Sequence, residues 1–100
     1  MLLNAVSVSG SVDQPREYPY EPNMTVADLV KSARGLMKDA YIERADLYRQ
    51  NDDLTETLLR VDLKKALDRD KEANLRLQPR DRLVIYSLRT AQFIGERRVE

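Results

Sequence analysis

Apolar and polar residues alternate in several segments of the chain, and this period of two predicts β-strands. In the first of these segments Val6, Val8 and Val12 share one face, while serines occupy the other. Gly10 interrupts the apolar face; a glycine within a strand usually marks a bulge or a close backbone approach, and we expect a bend there rather than a pocket. The strands predicted from alternation span residues 5–12, 17–21, 45–50 and 54–61. Because proline cannot donate a ladder hydrogen bond, Pro19 places the second strand at an edge of the sheet.

Residues 24–36 carry the start and stop signals of one short helix. Thr25 is the predicted N-cap, and Asp28, three residues later, completes a capping box. Gly35 is expected to take the left-handed conformation that ends the helix. The apolar face of this helix recurs at helical spacing and consists of Val26, Leu29, Val30 and Ala33. Because so short a helix is not stable alone, we expect it to pack against the predicted sheet.

The second half of the chain predicts a further short helix and a last strand. Asp62 is a natural N-cap for that helix. Residues 37–44 lack a clear period and indicate an irregular connection or a single helical turn. Residues 83–86 form a continuous apolar run, which is typical of a strand covered on both faces. We therefore expect this last strand at the centre of the sheet.

The order of these elements is typical of the β-grasp fold. In this α+β architecture a mixed sheet of about five strands wraps one main helix and one short helix. The last strand would then lie parallel beside the first. A chain of 100 residues is long enough to build one such domain with its own core.

Composition excludes several classes of function. Lysine and arginine number 17, as do aspartate and glutamate, and the two signs alternate along the chain, which argues against a nucleic-acid partner. The chain has neither a run of apolar residues long enough to span a membrane nor the pattern of a signal peptide. Two interpretations follow: a cytoplasmic protein, or a piece cut from a longer chain.

The sequence predicts no catalytic residue, no metal site and no cofactor. Histidine and cysteine are absent, which removes Ser-His-Asp chemistry, thiol nucleophiles and thiolate metal ligands. Two pairs of acids, at positions 52 and 53 and at 68 and 70, lie in strongly polar loops, where solvated carboxylates are the usual outcome. Neither pair has the ligand spacing and central glycine of a calcium loop. We therefore expect a protein that is not an enzyme.

Several short motifs, taken together in their order and spacing, carry a family resemblance. They lie at residues 6–12, 15, 18, 24–30, 33–36, 40, 47–49, 61–63, 74, 77–79 and 81–85. In this order they resemble the SLBB domain, the soluble ligand-binding β-grasp module, in the form repeated in bacterial outer-membrane polysaccharide export proteins. The positions that carry its structural motif are Gly10, Pro15, Thr25, Asp28, Gly35, Asp62, Pro79 and Asp81. The chain departs from the family at Arg16, Arg34 and Arg80, where glycine is common.

The resemblance implies a non-enzymatic periplasmic module of a polysaccharide export protein, which helps to assemble an oligomeric ring or lines the export path. Its implied partners are a polysaccharide and other subunits, in a homo-oligomer that the isolated domain need not form. Its implied location is the periplasmic side of the outer membrane. The candidate contacts are Arg16, Tyr18, Tyr20, Arg34 and Arg80. Two alternatives stay open: a β-grasp domain that binds a soluble small ligand, and a ubiquitin-like protein-interaction module.

The domain is predicted to span residues 1–89, with a tail at 90–100. Residues 91–97 look like the opening of another copy of the module, with Gly95 where Gly10 stands in the first. The alternative is an ordinary polar tail. A second copy would mean that the chain belongs to a longer protein with tandem modules.

Overall fold

The computed structural model describes residues 5–90. Its elements are β1 (Ala5–Gly10), β2 (Arg16–Pro19), α1 (Val26–Ser32), β3 (Ala40–Gln50), β4 (Glu56–Val61), α2 (Leu63–Leu67) and β5 (Arg82–Ser87). A helical turn at 88–90 follows the last strand. The predicted opening of a second module at 91–97 lies outside the described residues, so both it and the predicted domain boundary stay predictions.

The five strands form one mixed sheet in the order β2-β1-β5-β3-β4. β1 pairs antiparallel with β2 and parallel with β5. β3 pairs antiparallel with both β4 and β5. The α+β prediction is confirmed, and so are the central position of the last strand and its parallel pairing with the first. The strand that contains Pro19 lies at an edge, as expected.

The core lies between the two helices and one face of the sheet. Alternate strand residues point into it and meet the apolar faces of α1 and α2. Its largest fully buried apolar side chains are Val6, Val8, Val26, Leu29, Leu47, Val61, Leu63, Leu77, Leu83 and Ile85. Within β1 and within β5 the fully buried residues are two positions apart, as the period of a strand requires. Because one face of each strand must be buried, this pattern fixes the register of the sheet.

The predicted capping box of α1 is present. The Thr25 hydroxyl accepts from the backbone N–H of Asp28 at 3.4 Å, and the Thr25 N–H donates to the Asp28 carboxylate at 3.0 Å. At the C-terminal end Gly35 has the positive φ that was predicted, but the residue before it has one as well. Arg34 takes the left-handed conformation at the first position after the cap, with φ 67°, and its N–H donates to Lys31. Gly35 follows with φ 90°, so the turn uses two residues of positive φ.

Gly10 ends β1 two residues before the predicted strand end. Its φ is 96°, and its Cα lies so close to β5 that an added Cβ would stand 1.8 Å from the carbonyl oxygen of Ile85. The next residue donates its N–H to that same oxygen at 2.9 Å. Gly10 therefore marks a close backbone approach, one of the two features that a glycine within a strand usually indicates. Val12, beyond it, pairs with Leu36 as an isolated bridge.

Two predictions about the sheet are wrong. β3 begins at Ala40, inside the segment expected to be irregular, and its pairing with β5 shifts register between Ala40 and Ala45. This irregularity removes the period of two, which is why the segment gave no strand signal. β5 is covered on one face only, since Leu83 and Ile85 are buried whereas Val84 and Tyr86 are half-buried. α1 and α2 pack against the face of the sheet that carries Leu83 and Ile85.

Candidate functional site

The three arginines that replace glycines do not form one cluster. The turn before Arg16 donates two backbone hydrogen bonds to the C-terminal end of α1, which places Arg16 and Arg34 at the same end of the molecule. Arg80 lies at the opposite end, where its N–H bonds to the carbonyl of Ala5 at 2.6 Å. Along β1, Arg34 and Arg80 are separated by roughly 20 Å, whereas Arg16 pairs with Val8, three residues or roughly 10 Å from the Ala5 position beside Arg80. Arg34 and Arg80 are exposed and both have positive φ.

The two candidate tyrosines of the first hairpin differ in exposure. Tyr18 is only 7% exposed and belongs to the core, and its hydroxyl donates to the carbonyl of Gln14 at 2.5 Å. The exposed guanidinium of Arg16 lies 5.1 Å from the centre of its ring. Tyr20 is half-buried and packs against the core. The role of these five residues as contacts for a polysaccharide or a subunit stays a prediction.

A larger feature, which the sequence did not reveal, is the face of the sheet that carries no helix in the described structure. We call it the open face. Strand register places Ser7, Arg82, Tyr48 and Leu58 side by side across four strands. The next row contains Ser9, Val84, Asp46 and Arg60. The open face therefore mixes aromatic, aliphatic and charged groups over four strands.

Asp46 is the most buried group of the open face. Its carboxylate accepts hydrogen bonds from Arg44 at 3.1 and 3.4 Å and from the Tyr86 hydroxyl at 2.6 Å. The hydrogen bond to Asp46 raises the pKa of Tyr86 well above its ordinary value, and burial raises it further. Tyr86 therefore stays protonated and donates at neutral pH. The Asp46 hydrogen bond also raises the pKa of Arg44, so the carboxylate has a permanent cationic partner.

A second group of contacts lies beside this cluster on the open face. The guanidinium of Arg82 stacks 4.7 Å from the centre of the Tyr48 ring and reaches the Glu56 carboxylate at 3.3 Å. Tyr48 is thus held between strands by a cation on one side of its ring. Leu58, next to it on β4, is 46% exposed. These side chains give the open face a rigid aromatic centre and an apolar border.

Asp81, one of the motif residues, has a structural role. Its side chain is fully buried, and Arg49 donates two hydrogen bonds to its carboxylate at 2.9 and 3.2 Å. The backbone N–H of Gln78 donates a third at 2.8 Å, and Arg49 also bonds to the carbonyl of Arg76. The Asp81 carbonyl accepts from the N–H of Ser7. One side chain therefore joins the turn before β5 to β3, and its backbone joins that turn to β1.

Within residues 5–90 no group of three acidic side chains is placed to hold a metal ion, and no helix there is long and apolar enough to span a membrane. Every buried side-chain nitrogen and oxygen in that range has a hydrogen-bond partner. A cavity of about 160 Å³ lies beside the first turn of α1, lined by Glu21, Pro22, Asn23, Met24, Asp28 and Ser32. Pockets for drug-sized ligands are larger, about 300–1,000 Å³.

Sequence reasoning missed the open face because its members come from distant segments. Arg44, Asp46 and Tyr48 alternate with core residues in β3, and this alternation was the available signal. In β5 the apolar run hid the same period, because Val84 and Tyr86 are themselves apolar or aromatic. The ion pair between Arg49 and Asp81 spans 32 positions, and no local pattern indicates it.

A protein-family model matches the chain. The family model of the SLBB domain matches residues 5–57, which run from β1 to the beginning of β4 and make up more than half of the chain. No curated protein matches the chain. The matched segment includes the capping box of α1 and the close approach at Gly10.

Proposed function

Because the chain belongs to the SLBB domain family, we propose that it is a non-enzymatic periplasmic module of a polysaccharide export protein. SLBB is a binding domain rather than a catalytic one. The proposed role is to help assemble an oligomeric ring or to line the path of a capsular or extracellular polysaccharide. The proposed location is the periplasmic side of the outer membrane, and the proposed partners are the polysaccharide and other subunits.

The observation that supports this proposal best is the open face, with its partly exposed aromatic and apolar side chains. Tyr48, Tyr86 and Leu58 expose part of their surface on the open face, held in place by Arg82 and Asp46. Aromatic rings and arginine are the groups that protein interfaces use most for binding energy. A surface of this kind suits an extended partner, such as a neighbouring subunit or a long polymer.

The exposed arginines provide a second, weaker argument. Arg16 and Arg34 lie at one end of the molecule, next to the C-terminal end of α1, and both side chains face solvent. Guanidinium groups pair in a bidentate manner with carboxylates and phosphates. An acidic polysaccharide, or an acidic patch of another subunit, would therefore bind at this end rather than at the Arg80 end.

The test is a deletion of residues 5–90 from the encoding gene, without a frameshift, followed by measurement of polysaccharide at the cell surface and inside the cell. We expect surface polysaccharide to fall while intracellular polymer accumulates. A matched pair of variants refines this test: Arg16→Glu combined with Arg34→Glu should reduce export, whereas Arg80→Glu at the opposite end should not. Unchanged export after the deletion would refute the proposed function.

The second candidate function is capture of a soluble small ligand, as the family name suggests. The cavity beside α1 is the place where the described structure would hold one. Its volume of about 160 Å³ suits only a small molecule. NMR titration separates the two functions, because an oligosaccharide of the exported polymer should shift resonances of the open face or of the Arg16 end, whereas a small ligand should shift those of Met24 and Asp28.

A further inference from the structure

β4 forms one edge of the sheet, and its backbone groups alternate between its partner strand and the outside. The N–H of Asn51 donates to the carbonyl of Thr55 at 2.8 Å, and this residue pair continues the register of β3 and β4. Hydrogen-bonded and non-hydrogen-bonded pairs alternate along an antiparallel ladder. It follows that Glu56, Leu58 and Arg60 direct their N–H and C=O groups away from β3, towards the edge.

The same three residues are arranged symmetrically in charge. Leu58 stands at the centre, with an acid two positions before it and a base two positions after it. All three side chains are exposed and lie on the open face. If two β4 strands pair antiparallel about Leu58, each Glu56 stands opposite Arg60 of the other copy, and the two Leu58 side chains meet. The free backbone groups then form hydrogen-bonded pairs at all three positions.

We propose that this edge binds a second copy of the chain, through antiparallel pairing of β4 with β4 about Leu58. Charge complementarity selects this occupant, because one register satisfies both ion pairs and buries the exposed leucine. The other edge strand is a poorer partner: β2 has four residues, and Pro19 removes one donor from it. Charged side chains on an edge strand often protect it against pairing. Here, however, Glu56 and Arg60 of the two copies attract each other in the symmetric register.

The dimer would be a closed, two-fold assembly with one continuous sheet of ten strands, in which the open faces of both copies lie on the same side. Glu56 would be shared between Arg82 of its own copy and Arg60 of the other. This two-fold contact is complete with two copies, whereas a ring is built from head-to-tail contacts between different surfaces. The dimer therefore does not depend on ring assembly. The proposal does not rest on the proposed function and can fail or succeed separately from it.

The test is sedimentation velocity on the full chain and four variants, over a series of concentrations that reaches the millimolar range. In a homodimer, Glu56→Arg places arginine opposite arginine twice, and Arg60→Glu places acid opposite acid twice. We expect each single variant to raise the dimer dissociation constant at least about tenfold. An equimolar mixture of the two, or the double variant E56R/R60E, restores both ion pairs and should return to within about threefold of the original value.

The control Glu17→Arg makes the same change of net charge on the exposed part of β2 and should leave the dissociation constant unchanged. Thermal unfolding of each variant establishes that it is folded, since Glu56→Arg also removes an exposed ion pair with Arg82. A chain that is monomeric at every concentration would overturn the proposal. So would a mixture that fails to restore association, or a control that weakens it as much as Glu56→Arg does.

A cross-linking experiment tests the register directly. The chain contains no cysteine, so single cysteines can be introduced without background. Opposed residues of a hydrogen-bonded pair have Cα atoms about 5.5 Å apart, a distance that a disulfide spans. Under mild oxidation Leu58→Cys should form at least about ten times more covalent dimer than Ser9→Cys, which lies exposed on the open face within β1. Equal yields from the two variants would contradict the proposed register.

Discussion

The contacts of single side chains explain why substitution of certain residues should destabilise the fold. Asp81 is fully buried, and three donors from two different segments meet at its carboxylate. Removing one partner of a buried ion pair leaves the other charge without compensation, which costs more than the pair itself contributes. Asp46 has a comparable position on the open face, and in both pairs the arginine, Arg44 or Arg49, is partly exposed while the carboxylate is buried.

Asp81→Ala should lower the free energy of unfolding by about 3–5 kcal/mol, because Arg49 and the N–H of Gln78 lose their acceptor inside the protein. Urea denaturation measures this effect. The matched control is Asp52→Ala in the exposed loop between β3 and β4, which should change stability by less than about 0.5 kcal/mol. Similar losses in the two variants would show that Asp81 does not join these segments.

Asp28 predicts a dependence of stability on pH. Partial burial raises the pKa of this carboxyl group, but hydrogen bonds from Thr25 and the ion pair with Arg69 outweigh burial, so the pKa lies below its ordinary value. A carboxyl group with a lowered pKa in the folded state stabilises the protein above the pKa of the unfolded chain, which is 3.8. That contribution is lost as pH falls from there through the folded pKa.

The corresponding variant is Asp28→Asn, which keeps an acceptor at the capping position and removes the charge. At pH 7 it should be less stable by up to about 1 kcal/mol, the usual range for a charge at the first turn of a helix. Because Asp28 is partly exposed, this difference should also shrink in high salt. Urea denaturation at several pH values should find that the two proteins converge as pH falls from 3.8 through the folded-state pKa of Asp28. A constant difference at all pH values would contradict this assignment.

At the scale of the element, the end of α1 carries an avoidable strain. Arg34 has φ 67°, a conformation in which its Cβ is crowded and which glycine adopts freely. Arg34→Gly should therefore raise the free energy of unfolding by about 0.5–1 kcal/mol. The control Arg34→Ala removes the same charge but keeps the Cβ, so it should give no such gain. Denaturant unfolding of the two variants separates the backbone effect from the loss of charge.

Gly10 and Gly35 form a natural pair for the opposite experiment. Both have positive φ, but an added Cβ would collide with β5 only at Gly10, whereas nothing lies within 4 Å of it at Gly35. Gly35→Ala should cost about 1 kcal/mol, from backbone strain alone. Gly10→Ala should cost more than about 3 kcal/mol, because β1 and β5 must also separate. Equal losses in a thermal or urea denaturation series would show that the close approach is unimportant.

Elements whose signals are local could be predicted from the sequence. The signal for the capping box of α1 lies within four consecutive residues, and apolar and polar residues alternate along β1, so both elements were predicted. The start of β3 could not be, because its shift of register has no sequence period. The exposure of Val84 and Tyr86 could not be either, since it depends on which face the helices cover. The open face joins residues from β3 and β5, and only the folded chain brings them together.

At the scale of the molecule, the family match is shorter than the folding unit. Residues 5–57 contain the first hairpin, α1, all of β3 and the first two residues of β4, but they lack β5, the strand at the centre of the sheet. A fragment of residues 1–57 should therefore be unfolded, with poorly dispersed amide resonances and no cooperative thermal transition. A chain that ends at Thr90 contains β5 and should be folded, with well-dispersed amide resonances and a cooperative thermal transition. A folded 1–57 fragment would show that the first half has a core of its own.

The central strand is the last to be synthesised, and this order has a consequence for how the protein forms in the cell. Within the sheet, the hairpin of β1 and β2 is joined to the hairpin of β3 and β4 only by β5, although α1 and α2 also contact each other across the core. During translation the sheet cannot close until residues 82–87 have left the ribosome. A ribosome that stalls before that point leaves two hairpins without the strand that pairs with both, and such a chain is a target for chaperones or proteases.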